Sequence, residues 1–282
     1  MKSIKYFFQF LIIVLFFLIL KIVGLKNASN FSYKLFYIIG PFFRSREVVR
    51  SNILKAFPNL DHEGIKQISS NMWGNYGRIL SEYVFMKNFR DNNLKVNGQE
   101  ILEQIKKDNK PVIFISGHFN NFELMAMNIE KSGINLAAIY RPLNNKFLNI
   151  IMERIRKKYI CKNQIKKGIS GTKELLSFFK SGTSIALMID QRVSQGIRSD
   201  FFKNKAFTTT IPAQFVKKFG CKIVPVYIER INDIDFELTI NKPLEYSFSD
   251  SIEDITLDLN ISLEKMILKK PDQWIWSHNR WK

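Results

Sequence analysis

The chain has 282 residues and carries 43 Lys and Arg against 25 Asp and Glu, a formal net charge of +18. That length allows one large domain or two small ones with a full hydrophobic core. The charge favours an anionic partner, either nucleic acid, anionic lipid or an acidic protein, without choosing among them. Cys161 and Cys221 stand far apart in sequence, which argues against a disulfide framework and against a paired-cysteine metal site.

The N-terminus carries a long apolar run, YFFQFLIIVLFFLILKIVGL, at residues 6–25. As a helix this run rises about 30 Å, which is the thickness of a membrane's hydrocarbon core. It is long for the apolar part of a signal peptide, and no Ala-x-Ala cleavage site follows it, so we predict an uncleaved membrane anchor over residues 1–28. A cleaved signal peptide is the alternative, because Lys2 and Lys5 precede the run.

Basic residues flank the apolar run on both sides. They are Lys2, Lys5, Lys26, Lys34, Arg44 and Arg46. The larger number after the run predicts that the rest of the chain faces the cytoplasm. Basic residues beside a membrane also favour anionic lipid over nucleic acid, and the sequence has no zinc-finger spacing, RNP signature or basic-region heptad.

The segment from residue 29 to residue 95 is predicted to be helical and to pack beside the anchor or on the membrane surface. REVVRSNILKAF, at residues 46–57, has apolar positions at helical intervals and ends before Pro58. A second helix is predicted from an N-cap at Asp61 to about Tyr83.

Residues 100–282 alternate short apolar runs with helical patterns. Strands are predicted at residues 111–116, 136–140, 184–189, 223–228 and 236–240. Helices are predicted at residues 146–159, 170–179, 212–219 and 252–268. This alternation predicts an α/β domain with a largely parallel sheet, whose sites lie at the carboxyl ends of strands.

The stretch ISGHFNNFEL contains His118 and Glu123, five positions apart, directly after the first predicted strand. On one helix these residues would be about 140° apart, so they meet only if His118 lies in a turn and Glu123 in the first helical turn. Gly117 favours such a turn and Asn120 is a reasonable N-cap. His118 would then be a base kept neutral by the helix dipole and oriented by Glu123. The alternative is a capping box of Asn120 and Glu123 without catalysis.

Two more polar residues, Arg141 and Asp190, follow predicted strands. From position alone, Arg141 is either a site residue or a surface cation, and Asp190 is either a site residue or a turn cap. Arg154 and Arg156 lie two apart on a predicted helix and do not share a face, so we expect at most one to point into a site.

Several sequence blocks, taken in order, resemble those of the bacterial lipid A late acyltransferases. The blocks are VRSNILKAFP, GHFNNFE, YRP, DQ, DFF and PDQWIWSHNRWK, beginning at residues 49, 117, 140, 190, 200 and 271. The second block is an instance of the His-x4-Asp/Glu acyltransferase motif. The chain departs from the family pattern at Phe122, where Trp is usual, and at Asn279, where Arg is common.

The resemblance implies a glycerolphosphate-acyltransferase-like mixed sheet flanked by helices, in residues 29–282. It implies an O-acyltransferase that moves a fatty acyl chain from acyl carrier protein to a hydroxyacyl chain of a Kdo-bearing lipid A precursor. No metal or cofactor is implied. The expected location is a bacterial inner membrane, crossed once, with the catalytic domain in the cytoplasm, and the expected partners are acyl carrier protein, the precursor and membrane lipids.

The resemblance also implies roles for individual residues. His118 is the expected base and Glu123 its orienting acid. The expected substrate-binding residues are Arg141, Asp190, Asn121, Arg156, Arg154 and Gln191, with Arg141 holding an acceptor phosphate or the developing oxyanion.

Two other functions stay open on sequence grounds. One is the same chemistry on another glycolipid, such as a mannosylated phosphoinositide. The other is a membrane-tethered basic protein that binds anionic lipid or nucleic acid without catalysis.

Overall fold

A computed structural model of the protein describes residues 2–92 and 94–282. Its N-terminal third is helical. The helices are α1 (Lys2–Val23), α2 (Leu25–Ile39), α3 (Arg46–Ala56), α4 (His62–Glu82) and α5 (Met86–Asp91), with 3-10 turns at Gly40–Phe42 and Tyr83–Phe85. Helix α1 contains a segment, Ser3–Val23, that is long and apolar enough to cross a membrane, which is compatible with the predicted anchor.

Local sequence explains how these helices begin and pack. Asp61 caps α4 as predicted, because its side chain accepts the backbone N–H of Gly64 at 2.8 Å. Gly77 lets α2 and α4 approach closely, since a Cβ there would lie 2.3 Å from the Ser32 carbonyl oxygen. Helix α4 therefore forms a platform between α2 and the rest of the molecule.

The rest of the chain forms a mixed sheet flanked by helices. The sheet strands are β1 (Lys95–Asn97), β2 (Ile113–Ser116), β3 (Leu136–Tyr140), β4 (Asn163–Lys166), β5 (Ser184–Met188), β8 (Ile223–Arg230) and β9 (Phe236–Ile240). Their order is β1-β9-β8-β2-β5-β3-β4, and every pairing is parallel except β8 with β9. A separate hairpin is formed by β6 (Ile197–Phe201) and β7 (Asn204–Thr208).

Six helices accompany these strands. They are α6 (Gln99–Asp108), α7 (Glu123–Lys131), α8 (Lys146–Ile155), α9 (Ile169–Lys180), α10 (Ile211–Phe219) and α11 (Ile252–Lys269). Helix α8 continues into a π-helical turn, Arg156–Ile160. All five predicted strands are present, and the predicted α/β class is confirmed. The strands that sequence patterns missed include β1, with three residues, and β4, which reads NQIK and lacks an apolar run.

Strand β2 lies at the centre of the sheet, between β8 and β5. Ile115 and Ser116 of β2 pair with Leu187 and Met188 of β5, so the segments that follow the two strands leave the sheet side by side. Because β3 is the other neighbour of β5, the carboxyl ends of β2, β5 and β3 meet at one edge. His118, Asp190 and Arg141 follow these three ends.

Candidate active site

His118 and Asp190 meet at the carboxyl ends of β2 and β5. Asp190 Oδ1 lies 2.8 Å from His118 Nδ1, and Asp190 Oδ2 accepts the His118 backbone N–H at 2.8 Å. Oδ2 also accepts Trp274 Nε1–H at 2.8 Å. The carboxylate is only 2% exposed. Asp190 therefore holds the imidazole through its Nδ1, and Nε2 faces the adjoining cavity.

Each member of this pair stabilises the charged form of the other and so shifts its pKa. Burial lowers the pKa of His118, but the charge and hydrogen bond of Asp190 outweigh burial and raise that pKa above 6.5. Burial raises the pKa of Asp190, but His118 and the other donors bring it down to about 2. Asp190 is therefore ionised, the proton stays on Nδ1, and Nε2 can accept a proton from a substrate. The predicted lowering of the His118 pKa by a helix dipole is wrong, because the facing carboxylate dominates.

The turn after β2 has the predicted outline, because His118 lies in the turn and Glu123 in the first turn of α7, but the predicted N-cap is absent. Helix α7 begins at Glu123, and Asn120 takes a left-handed conformation with φ 38° rather than capping the helix. The Asn120 backbone N–H donates to the Gln273 carbonyl at 2.9 Å, and its side-chain amide donates to the Gln273 side chain. Gly117 allows close packing, since a Cβ there would lie 3.0 Å from Leu263 Cδ1 and 3.3 Å from Asp190 Oδ2. The capping-box alternative is therefore wrong, and the turn is fixed by the C-terminal segment.

Glu123 lines the cavity with His118 but is not its orienting partner. Its Oε1 accepts Arg156 Nε–H at 2.9 Å and Arg156 Nη2–H at 2.6 Å, and it also accepts the Tyr83 hydroxyl. Burial and the Glu123 carboxylate raise the pKa of Tyr83, so its hydroxyl stays protonated and donates. The orienting role predicted for Glu123 falls to Asp190, while Glu123 fixes a buried guanidinium.

The two arginines near the end of α8 separate as their spacing requires. Arg156 lines the cavity. Burial lowers the pKa of Arg156, but the Glu123 carboxylate outweighs burial and raises that pKa, so the guanidinium stays charged. Arg154 is exposed and does not line the cavity, so its predicted substrate contact is not supported by its position. Positions two apart on a helix point about 160° apart, which explains the difference.

Asn121 also departs from its predicted role in substrate binding. It is fully buried, and its Nδ2 donates to Glu82 Oε2 at 2.9 Å. Glu82 is in turn held by Arg230, whose Nη1 lies 2.7 Å from Oε1 and whose Nη2 lies 3.0 Å from Oε2. Asn121 therefore ties the turn to α4 and β8 and lies away from the cavity surface.

Gln191 and Arg141 do lie at the cavity. Gln191 Nε2 is 3.5 Å from His118 Nε2, close to the position that a substrate hydroxyl would occupy. Arg141 is exposed at the cavity wall and, in residues 2–92 and 94–282, its guanidinium contacts no carboxylate. Asp190, by contrast, was expected to bind substrate and instead contacts His118.

Sequence reasoning missed His278, which also lines the cavity. Its Nε2 accepts the Arg192 backbone N–H at 3.0 Å, and burial lowers the pKa of His278, so the ring is neutral. His278 and Trp274 both belong to the C-terminal block PDQWIWSHNRWK. That block was recognised as a pattern, but its contact with a site 84 residues away in sequence had no local signal.

The cavity has a volume of about 500 Å³, and different residue types line different parts of it. His118, Phe122, Glu123 and Gln191 line one end of it. Cations follow along the wall; they are Arg141, Arg156, Lys166, Lys167 and Arg192. A cavity lined in this way can receive an anionic group at the cations while a hydroxyl lies at His118 Nε2.

A second, apolar groove of about 240 Å³ adjoins the cavity. The two share Phe122 and Arg156, and the Phe122 ring packs edge-on against His118 with ring centroids 4.8 Å apart. Other groove residues come from α1, α4 and α8, and include Ile13, Phe17, Ile79, Leu80, Leu148 and Met152. The groove is therefore an apolar surface that could bind a hydrocarbon chain, and it ends beside the imidazole of His118.

No cluster of three or more His, Cys, Asp or Glu side chains suited to a metal ion occurs within the described ranges. The arrangement that is present is a buried carboxylate, an imidazole whose Nε2 faces the cavity beside Gln191, a set of cations and an apolar groove. Such a site can remove a proton from a hydroxyl held between a charged group and a hydrocarbon chain.

Comparison with known proteins gives consistent results. A family model described as bacterial lipid A biosynthesis acyltransferase matches residues 1–282. The lipid A biosynthesis palmitoleoyltransferase of Escherichia coli (strain K12) is 24% identical over 253 residues, covering 86% of this chain and 80% of that protein. The lipid A biosynthesis acyltransferase of Haemophilus influenzae is 19% identical over 273 residues, covering 93% of this chain and 84% of that protein.

Among solved structures, the chain is similar to the 1-acyl-sn-glycerophosphate acyltransferase of Thermotoga maritima, with a TM-score of 0.44 and 14% identity. That similarity covers 89% of this chain and 99% of the other. The family-model match, which runs from the first residue to the last, decides the assignment. The protein is an acyltransferase and belongs to the bacterial lipid A biosynthesis acyltransferase family.

Proposed function

We propose that the protein transfers a fatty acyl chain from acyl carrier protein to a hydroxyacyl chain of a Kdo-bearing lipid A precursor, with His118 as general base. The observation that carries this proposal is the contact of His118 Nδ1 with ionised Asp190, which leaves Nε2 on the side of a cavity beside an apolar groove. Neither a metal nor a cofactor takes part in the proposed reaction.

The proposed step breaks one bond and forms one bond at the acyl carbon. His118 Nε2 takes the proton of the acceptor hydroxyl as its oxygen attacks the thioester carbonyl. The new ester bond forms, the carbon–sulfur bond breaks, and the proton passes from His118 to the departing thiolate. General-base catalysis of this kind contributes about 10²–10⁴-fold in rate.

Asp190 and the charged residues beside it have separate tasks in this proposal. Asp190 fixes the tautomer of His118 and stabilises the imidazolium that forms during attack. Arg156, held by Glu123 and Tyr83 at the wall shared by cavity and groove, supplies positive charge near the developing oxyanion. Glu123 therefore acts through Arg156 rather than through the imidazole.

The lipid substrates suit the two surfaces next to the base. The apolar groove takes a fatty acyl chain, since burial of each methylene contributes about 0.8 kcal/mol. The exposed guanidinium of Arg141 is proposed to bind an acceptor phosphate. The net charge of +18 would also speed the encounter with an acidic carrier protein and hold the protein at anionic lipid. We propose that it works on the cytoplasmic side of the inner membrane.

The test is an assay of the purified full chain with acyl carrier thioesters of several chain lengths and with three acceptors. The acceptors are the Kdo-bearing precursor, the same lipid without Kdo, and a mannosylated phosphoinositide. Mass spectrometry reports the added acyl mass. We expect transfer to the Kdo-bearing precursor at the highest kcat/KM. Transfer to the phosphoinositide alone would overturn the substrate, and absence of transfer to all three would favour a binding protein.

A further inference from the structure

Helix α1 is apolar on two opposite faces, and only one of them faces the protein. The inward face repeats every three or four residues and is buried or half-buried at Tyr6, Phe10, Ile13, Phe17 and Leu20. The outward face is exposed; it includes Ile4 at 63%, Leu11 at 44%, Leu15 at 61%, Leu18 at 56% and Ile22 at 86%. The domain therefore packs along one side of the whole helix rather than at one end.

Contacts with the domain hold both ends of this inward face. Near the N-terminus of the helix, Asn145 Nδ2 donates to the Tyr6 carbonyl at 2.8 Å. The Phe147 ring lies 5.7 Å from the ring of Phe7 and 5.8 Å from the ring of Phe10. Near the other end, Leu20 is 1% exposed. Because α1 rises about 1.5 Å per residue, the domain accompanies it for about 20 Å.

A perpendicular crossing would carry part of the domain into the bilayer. With Val23 at one surface, Tyr6 would lie about 25 Å deeper, close to the far side of a hydrocarbon core of about 30 Å. Helix α8 is attached there, and it lines the apolar groove together with Ile13 and Phe17 of α1. This crossing would also carry α8, with its exposed and charged Arg154, toward the hydrocarbon, which is unfavourable.

We propose that α1 does not cross the membrane but lies within one leaflet, with its outward face in lipid and both of its ends on the side of the catalytic domain. This arrangement explains why α1 lacks the polar face of an ordinary surface helix, since its other face meets apolar protein. It also accounts for Lys5 before the apolar run and Lys26 after it, because both ends meet the same anionic surface. This proposal replaces the single membrane crossing that the length of the N-terminal apolar run predicts. The inference does not depend on the proposed function.

The first test measures depth in the membrane. Cysteines replacing Ile4, Leu15 and Ile22 lie within about 20° of one line along the helix and can each carry a spin label. Cys161 and Cys221 are buried, and the parent chain serves as the labelling control. The purified full chain is placed in vesicles containing anionic lipid. We expect the three labels to lie at one depth. A label at position 15 deeper than both others by on the order of 10 Å would overturn the proposal.

The second test asks on which side each end lies. One chain carries a single cysteine in a short polar tag before Met1, and another carries Glu253→Cys on the exposed start of α11. A membrane-impermeant maleimide is added to intact spheroplasts and then to lysed ones. We expect the same labelling pattern for both chains. Opposite patterns in intact spheroplasts would show that α1 crosses, and would overturn the proposal.

Discussion

Replacing Asp190 by Asn keeps the shape of the side chain but removes the charge and one acceptor atom. Asp190 receives three donors, from the His118 backbone, from His118 Nδ1 and from Trp274 Nε1. The backbone and Trp274 donors both meet Oδ2, so the amide oxygen of Asn is best placed there. The amide NH2 then faces His118 Nδ1, which must become an acceptor. The ring proton moves to Nε2, where the base is needed.

The expected loss in kcat/KM is about 10³–10⁴-fold, because the same change of tautomer has effects of that size in acyl-transfer triads. In free energy this corresponds to a rise in the barrier of about 4–5.5 kcal/mol. The acid limb of the pH–rate profile also moves. Wild-type activity should fall as pH drops through a His118 pKa that lies above 6.5. Loss of the Asp190 charge lowers that pKa, so the limb of the variant moves to lower pH.

The assay is acyl transfer by the purified full chain between pH 5 and pH 9, with melting behaviour measured in parallel. Asp258→Asn is the matched control, because Asp258 is an exposed acid on α11 that accepts the Tyr246 hydroxyl at 2.6 Å. Its rate and profile should equal those of the wild type. A folded Asp190→Asn variant with a wild-type rate and an unmoved acid limb would refute the assignment of His118 as a base held by Asp190.

Further predictions concern the other site residues. Arg141→Ala should raise KM for a phosphorylated acceptor about 10-fold with little change in kcat, because one charged hydrogen bond contributes about 1.5 kcal/mol or more. Arg154 lies outside the cavity, so Arg154→Ala should change neither KM nor kcat. Glu123→Gln should lower the free energy of unfolding in urea by about 3 kcal/mol, because it leaves Arg156 without its counter-charge. It should move the acid limb of the pH–rate profile less than Asp190→Asn does, because Glu123 affects the pKa of His118 less than Asp190 does. Asn121→Ala should lower stability by about 1–3 kcal/mol without raising KM for the acceptor. An Arg141 variant with unchanged KM, a Glu123 variant of wild-type stability, or an Asn121 variant with raised KM would each contradict the corresponding role.

The strands that carry the site could be predicted because they are buried and continuously apolar. IFIS and SIALM belong to short apolar runs of this kind, and the polar residues that follow them mark the edge of the candidate site. Helix α7 does have Glu123 in its first turn, as predicted, but the predicted N-cap at Asn120 is wrong. Its start depends on the left-handed Asn120 and on a backbone contact with Gln273, and neither leaves a pattern in the local sequence.

The partner of His118 could not be chosen from sequence spacing. Glu123 is five positions away and fits a turn followed by a helix, whereas Asp190 is 72 positions away. The choice depends on β2 and β5 being neighbours in the sheet, which strand patterns do not reveal. Tyr83 was missed for a similar reason, since it comes from the helical platform and reaches Glu123 only in the folded chain.

The most direct test of the central claim is the rate of acyl transfer by His118→Ala, measured with the purified full chain, an acyl carrier thioester and the Kdo-bearing precursor. The variant should keep the wild-type yield and melting behaviour, because His118 packs at a cavity wall that can admit water. Mass spectrometry should show a rate lowered by at least about 10²-fold. Transfer by the folded variant at the wild-type rate would contradict the account.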